Sequence, residues 1–235
     1  MSYTSYASFF IFFSFVFVFQ ACSYKEVYNL RYTGTITELD YLEFSPNVLL
    51  IDERNQMFYH DTLSKQRNEI IDSLLVDNKR LRIGKKLVTD FEFEQSKIAD
   101  ELTNLEQMYQ EKLRANETTI PPFISSFMKR KNSEVMAITI VNGYVRSDER
   151  NKELIRNAII VNMITIPTTG IAFIPLSISD PHRAYYRLIV FDSRCNCVRY
   201  YRNYPKLKHS VLNDKKLREQ INYMYRNMYL AIETL

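Results

Sequence analysis

The chain predicts an α/β fold: a mixed sheet of about five strands with helices packed against it, a closing β-hairpin and a C-terminal amphipathic helix. Three observations carry that expectation. The stretches "NVLLID" (47–52) and "EVMAITIVNGYV" (134–145) are apolar at successive positions, as strands covered on both faces are. Between them the apolar residues recur at steps of three and four, the helical period. Finally, "YYRLIVFD" (185–192) and "CVRYYRNY" (197–204) flank the turn "SRCN".

The elements follow in order. "NVLLID" is a short buried strand ending at Asp52. Asp61 offers an N-cap to a helix reaching about Asp77, with Leu63, Ile70, Ile71, Leu74 and Leu75 on one face. "KRLRIGKKLV" alternates at Leu81 and Ile83 and predicts a strand that bends near Gly84. A longer helix carries Ile98, Leu102, Leu105, Met108 or Tyr109, and Leu113. "TTIPPF" stops it and opens a short helix, "FISSFMKR". After the central strand 134–145, Asp148 caps a helix with Leu154, Ile155, Ala158, Ile159 and Met163, which Pro167 ends.

In the hairpin, Asp192 at the turn's first position and Asn196 where a positive φ is needed suit a tight turn with a bulge. The last helix begins at Asn213, with Leu212 and Leu217 as a hydrophobic staple. Its stripe is Leu217, Ile221, Met224, Met228, Ile232 and Leu235, while Lys215, Lys216, Arg218 and Arg226 fall on the solvated side. Helical crossovers allow the first three strands to be parallel, and the hairpin is antiparallel.

Composition narrows the function. A chain of 235 residues is one domain's length. With 46% apolar and 25% charged residues it has the makings of a real core. The net charge of +4 is spread among mixed signs, which speaks against nucleic acid as a partner. Only four glycines, far apart, leave no GxGxxG or GxxxxGK[ST] loop for a nucleotide. There is no repeat at solenoid or propeller period.

The opening stretch, "FFIFFSFVFVFQACS" (9–23), is apolar from Phe9 to Phe19 except for Ser14. That is shorter than the roughly 20 residues of a spanning helix and matches the 7–15 residue core of a secretion signal. Ala21 then stands directly before Cys22. The run Phe19-Gln20-Ala21-Cys22 resembles a bacterial lipobox, of the relaxed kind found in Bacteroidetes-like lipoproteins. Phe19 and Gln20 replace the usual Leu and small residue, and Met1–Ser8 has no Lys or Arg. The resemblance implies that Cys22 is lipidated and becomes the first residue of the mature chain. A retained N-terminal anchor and a plain signal peptide are the alternatives. All three place the remainder outside the cytoplasm, and a multiply acylated cysteine is a stable anchor. The expected organisation is a signal over 1–21, a tether over 22–45 and a single α/β domain over 46–235.

With Cys22 committed to lipid, Cys195 and Cys197 remain. Their CxC spacing is not that of a redox CxxC, and His60, His182 and His209 show no zinc-ligand spacing to them. A disulfide between residues two apart is uncommon. Two reduced thiols, one in the turn and one starting a strand, are the expectation, with an intermolecular disulfide second.

"NVLLID" before a helix, the strand "VMAITIVNGYV" and the hairpin "LIVFDSRCNCVRYY" together resemble the α/β domain of the TolB N-terminal region and of CsgG-like envelope lipoproteins. The likeness spans about residues 45–205, and Asn196 stands where that family's turn ends in Gly. It implies an envelope lipoprotein working through protein–protein contacts, with no catalytic residues to carry over.

Two stretches are candidates for an interaction surface. Residues 157–179, "NAIIVNMITIPTTGIAFIPLSIS", carry no charge. They fit a buried helix end with a packed loop, an exposed apolar patch presenting Ile164, Ile166, Ile171, Phe173 and Ile174, or a membrane-inserting hairpin. The tract "RYYRNYPKLKH" (199–209) could stack Tyr200, Tyr201 and Tyr204 on sugars, or be a strand with Arg and Tyr on an exposed face. No GxSxG elbow occurs, and the pairs Glu92/Glu94 and Asp100/Glu101 fit solvated helix faces. The sequence therefore points to a non-enzymatic protein of the cell envelope, anchored through Cys22, most simply to the outer membrane. It requires no cofactor or metal, and binds another envelope protein or a second copy. An anchored or secreted polysaccharide hydrolase using His182 and Asp180, or a glycan- or peptide-binding module, is the alternative.

Overall fold

The computed structural model describes residues 26–28, 34–44, 46–52, 54, 56–110, 118–147, 152, 182–207 and 211–233. The described strands are β1 (Glu26–Tyr28), β2 (Leu39–Leu42), β3 (Asn47–Ile51), β4 (Met57–Tyr59), β5 (Ile83–Leu87), β6 (Val135–Arg146), β7 (His182–Asp192) and β8 (Cys197–Leu207). The described helices are α1 (Asp61–Asp77), α2 (Glu92–Gln110), α3 (Pro122–Arg130) and α4 (Asp214–Glu233). The mixed α/β class is as predicted.

β6 organises the sheet. Its apolar stretch is buried continuously from Val135 to Val141. On one side β7 pairs with it antiparallel along its length, from Val135↔Asp192 to Val145↔His182. On the other side two short strands share its edge. β2 runs parallel to its first half, with Asp40↔Met136, and β3 runs parallel to its second half, with Asn47↔Asn142. β5 lies parallel outside β2, β4 lies antiparallel outside β3, and β1 lies antiparallel outside β8. The bend foreseen at Gly84 is a register shift between β2 and β5.

Each face of the sheet carries two of the described helices. Ala137, Val141, Tyr186, Leu188, Val190 and Tyr200 meet Ile71 and Leu75 of α1 and Leu217, Ile221, Met224 and Met228 of α4. Met136, Ile138, Ile189, Phe191, Val198 and Tyr201 meet Ile98, Leu102 and Leu105 of α2 and Ile124, Phe127 and Met128 of α3. Alternate residues of one strand thus feed opposite cores, which is why β6 is largely apolar from Val135 to Val141. At α2's last turn Tyr109 is buried and Met108 is exposed.

Polar contacts fix the layers. Thr139 of β6 and Tyr225 of α4 share a buried hydroxyl–hydroxyl bond of 2.9 Å. Arg67 of α1 donates to the Leu212 carbonyl at 3.2 Å and to Asp214 at the start of α4. A Cβ at Gly143 would lie 2.8 Å from both the Val211 Cβ and the Arg183 carbonyl, so only glycine lets the chain entering α4 lie so close to β6. His60, rather than Asp61, caps α1: its Nδ1 accepts from the Leu63 amide at 3.3 Å. Asn213 caps α4, its side chain accepting from the Lys216 amide at 3.0 Å.

The expected tether over 22–45 is corrected. β1 and β2 belong to the sheet, and Ile36, Leu39, Tyr41 and Leu42 are buried. "ITELDYL" looks polar because alternate residues face outward, yet Leu39 and Tyr41 enter one core and Leu42 the other. The helix predicted after Asp148 lies outside the described residues, Lys152 excepted.

Candidate functional site

Cys22, Ile164, Ile166, Ile171, Phe173, Ile174 and Asp180 lie outside the described residues. Tyr200, Tyr201 and Tyr204 do not form a surface: they are 0%, 2% and 3% exposed. β8 is not the half-exposed strand its alternation suggested, because β1 and β7 flank it and helices cover both faces. Tyr200 and Tyr204 join the α1/α4 core, and Tyr201 meets Tyr109 of α2 with ring centroids 4.4 Å apart. A sugar-stacking role for these three rings is thereby removed.

The reduced-thiol expectation is also corrected. Cys195 and Cys197 form a disulfide within the hairpin turn, with Cα atoms 5.2 Å apart. Two residues of extended chain span about 6.6 Å. Asn196, at φ 48°, folds the backbone between the cysteines and shortens that span to one well inside the range of disulfides.

Beside the disulfide lies a buried charge cluster. Asp192, wholly buried, accepts from Arg194 Nε at 2.9 Å and Arg194 Nη2 at 2.7 Å. It also accepts from Arg199 Nη1 at 3.2 Å. Arg199 is 1% exposed, and its other terminal nitrogen donates to the Gly34 carbonyl. Arg194 reaches the Thr35 carbonyl at 3.4 Å. The hairpin tip therefore grips the backbone that leads from the N-terminal segment into β2. A mixed-charge cleft adjoins it, lined by Glu38, Asp40, Lys85, Glu134 and Arg194. Its charges serve structure: Lys85 Nζ donates to the Lys131 and Asn132 carbonyls at 2.8 Å each, and Asp40 accepts the Lys85 amide at 3.1 Å.

The paired carboxylates are likewise structural. Glu94, predicted solvated, is buried, accepts from the Asp90 amide at 2.9 Å and pairs with Arg130 at 2.6 Å. Glu101 spans the start of α3, accepting from the Phe123 and Ile124 amides at 2.8 and 2.9 Å. Among the described residues no group of three His, Cys, Asp or Glu could hold a metal ion, and no helix is long and apolar enough to cross a membrane.

The surface feature that departs most from an ordinary solvated exterior is β4. Its three residues, Met57, Phe58 and Tyr59, are 62%, 49% and 54% exposed. Among the described residues β4 pairs with β3 alone, so its outer edge presents unpaired backbone flanked by large apolar side chains. Natural sheets blunt such an edge by keeping it very short or with lysine, proline or a bulge. β4 is short, but it carries no lysine, proline or bulge. A second exposed apolar pair, Phe91 and Phe93 at the start of α2, stacks with centroids 5.7 Å apart. The sequence hid β4 because "MFY" is a three-residue run between polar residues, too short to show a period.

Compared with known proteins, the chain matches no family model and no curated protein sequence.

Proposed function

We propose that this is a lipid-anchored protein of the bacterial cell envelope that acts without catalysis, through protein–protein contact. The observation that carries the contact is the exposed apolar edge β4, which among the described residues pairs with β3 alone. The occupant its chemistry favours is a second copy of the chain, with β4 pairing antiparallel to β4. Met57, Phe58 and Tyr59 bear no charge to repel across a two-fold axis, and each edge supplies the donors and acceptors the other lacks.

Location outside the cytoplasm is supported by the opening segment ending at Cys22 and by the Cys195–Cys197 disulfide, since disulfides persist in oxidising compartments. The likeness of the central strand and hairpin to the TolB and CsgG-like lipoprotein domain points the same way. Cys22 is the one cysteine left for an acyl group.

Metabolic palmitate labelling tests the anchor: wild type takes label and Cys22→Ala does not, and an unlabelled wild type overturns it. Light scattering of the full chain in mild nonionic detergent tests the pairing. Wild type runs as a dimer and Phe58→Lys as a monomer with unchanged circular dichroism. A wild-type monomer at all concentrations overturns self-pairing.

A further inference from the structure

The Cys195–Cys197 disulfide lies at an exposed hairpin tip, and its two sulfurs are unequally placed. Ser193, Arg194 and Asn196 are exposed and Cys195 partly so, whereas Cys197 is 6% exposed. We infer that this bond is a site of thiol–disulfide exchange. Cys195 takes the attack of a thiolate from a dithiol on a partner protein, and the chain accepts that dithiol's two electrons.

Cys197 belongs to the sheet. It pairs with Asp192 across the hairpin and bridges to Thr119, and the next amide, that of Val198, donates to the Thr118 carbonyl at 3.1 Å. Cys195 lies in the turn between the strands. Exchange requires that the incoming thiolate reach the sulfur it attacks. Cys195 offers that access, and Cys197 is the sulfur that leaves.

The turn does not depend on the bond. Ser193 donates to the Glu134 carbonyl twice, through its amide at 2.8 Å and its hydroxyl at 3.0 Å. The Asn196 amide donates to the Ser193 carbonyl, and the Asn196 carbonyl accepts from the Ile120 amide, at 3.3 Å each. Arg194 is held on Asp192. None of these contacts involves sulfur, so opening the bond leaves the cysteines at a Cα separation, 5.2 Å, from which it re-forms. The closed loop is also so short that the bond removes little chain entropy from the unfolded state. The folded protein can therefore open and close it. In the open form the Asp192 carbonyl oxygen, 3.4 Å from Cys195 Sγ, is an acceptor for the thiol proton. The CxC spacing differs from that of a redox CxxC, but exchange asks only for one reachable sulfur and a second held within bonding distance.

The step runs through a mixed disulfide. The partner's first thiolate bonds to Cys195 Sγ as the Cys195–Cys197 bond breaks, and Cys197 leaves as a thiolate that takes a proton from water. The partner's second thiolate then bonds to the partner's first sulfur, and Cys195 leaves and is protonated in turn. The partner has gained a disulfide and lost two electrons, and the chain holds two thiols. Each bond serves one dithiol, so the step stands beside action through contact and does not require pairing at β4.

Two measurements on the full chain in nonionic detergent, with air excluded, test the assignment. Oxidised wild type is mixed with one equivalent of a synthetic peptide bearing two cysteine thiols, then quenched in acid and alkylated. Mass spectrometry of the digest reads Cys195 and Cys197 separately from Cys22. Peptide disulfide and chain thiols appear together in equal amounts with the circular dichroism unchanged, and Cys195→Ser/Cys197→Ser leaves the peptide reduced. Single variants mixed with glutathione disulfide then locate the reactive sulfur. Cys197→Ser takes glutathione onto Cys195 about tenfold or more faster than Cys195→Ser takes it onto Cys197. A peptide that stays reduced beside folded wild type, exchange that proceeds only as the chain unfolds, or a smaller ratio between the single variants overturns the assignment.

Discussion

Arg199 and Asp192, seven positions apart on either side of the hairpin turn, meet at 3.2 Å with both side chains almost fully buried. Asp192 also takes Arg194, and Arg199 also takes the Gly34 carbonyl, so one carboxylate and two guanidiniums join the turn to the segment entering β2. Removing one partner of such a pair strands a charge in the interior. Asp192→Ala is expected to cost about 3–5 kcal/mol in urea unfolding. Arg199→Met is expected to cost less, since Arg194 still neutralises Asp192. A loss below about 1 kcal/mol for Asp192→Ala would mean that water reaches the cluster.

The disulfide is checked on the isolated protein. Denatured without reductant, the chain should resist alkylation at both Cys195 and Cys197, and the tryptic peptide Cys195–Arg199 should weigh two hydrogens less than its reduced form. The closed loop is tiny, so the chain-entropy gain is modest, roughly 1.5 kcal/mol. Cys195→Ser/Cys197→Ser should therefore fold, with a small drop in denaturation midpoint. Free thiols in protein purified without reductant would contradict the bond.

Buried tyrosines set the alkaline limit of stability. Burial pushes the Tyr109 hydroxyl up to about 12, with the Thr118 side chain opposing that shift in part. Burial likewise raises Tyr41, Tyr186, Tyr201 and Tyr225. The unfolded chain loses these protons near pH 10, so the unfolded state binds fewer protons than the folded one above it. Stability is complete below pH 10 and falls as pH rises toward 12, with Tyr109 alone worth roughly 3 kcal/mol over that window. Ultraviolet titration should show the exposed tyrosines ionising first and the buried set appearing only with loss of the far-ultraviolet dichroism. Smooth titration of every tyrosine while the fold persists would refute this.

Glu101 replaces the cap that α3 lacks. Pro121 at the N-cap offers no side-chain acceptor, and the Glu101 carboxylate from α2 takes the Phe123 and Ile124 amides instead. Glu101→Ala should cost about 1–2 kcal/mol, and Glu101→Gln less, because its amide keeps one acceptor. Equal losses from both substitutions would assign the effect to packing rather than to the cap.

The sequence by itself determined the elements whose patterns repeat over many residues. The buried, largely apolar run of β6, the stripes of α1, α2 and α4 and the hairpin around Asn196 were all legible, because burial on one stripe or two faces imposes a pattern. The tertiary structure alone decided what lies beside each element. β2 and β4 are too short to show a period, and whether they are strands depends on β6 and β3 being present to pair with them. Tyr200, Tyr201 and Tyr204 alternate like an exposed strand and are buried, because only the sheet order reveals that β8 has a neighbour on each side. Likewise Arg80 and Arg82 stand far from Arg226 along the chain. They become one cavity only because α4 returns to pack beside the end of α1.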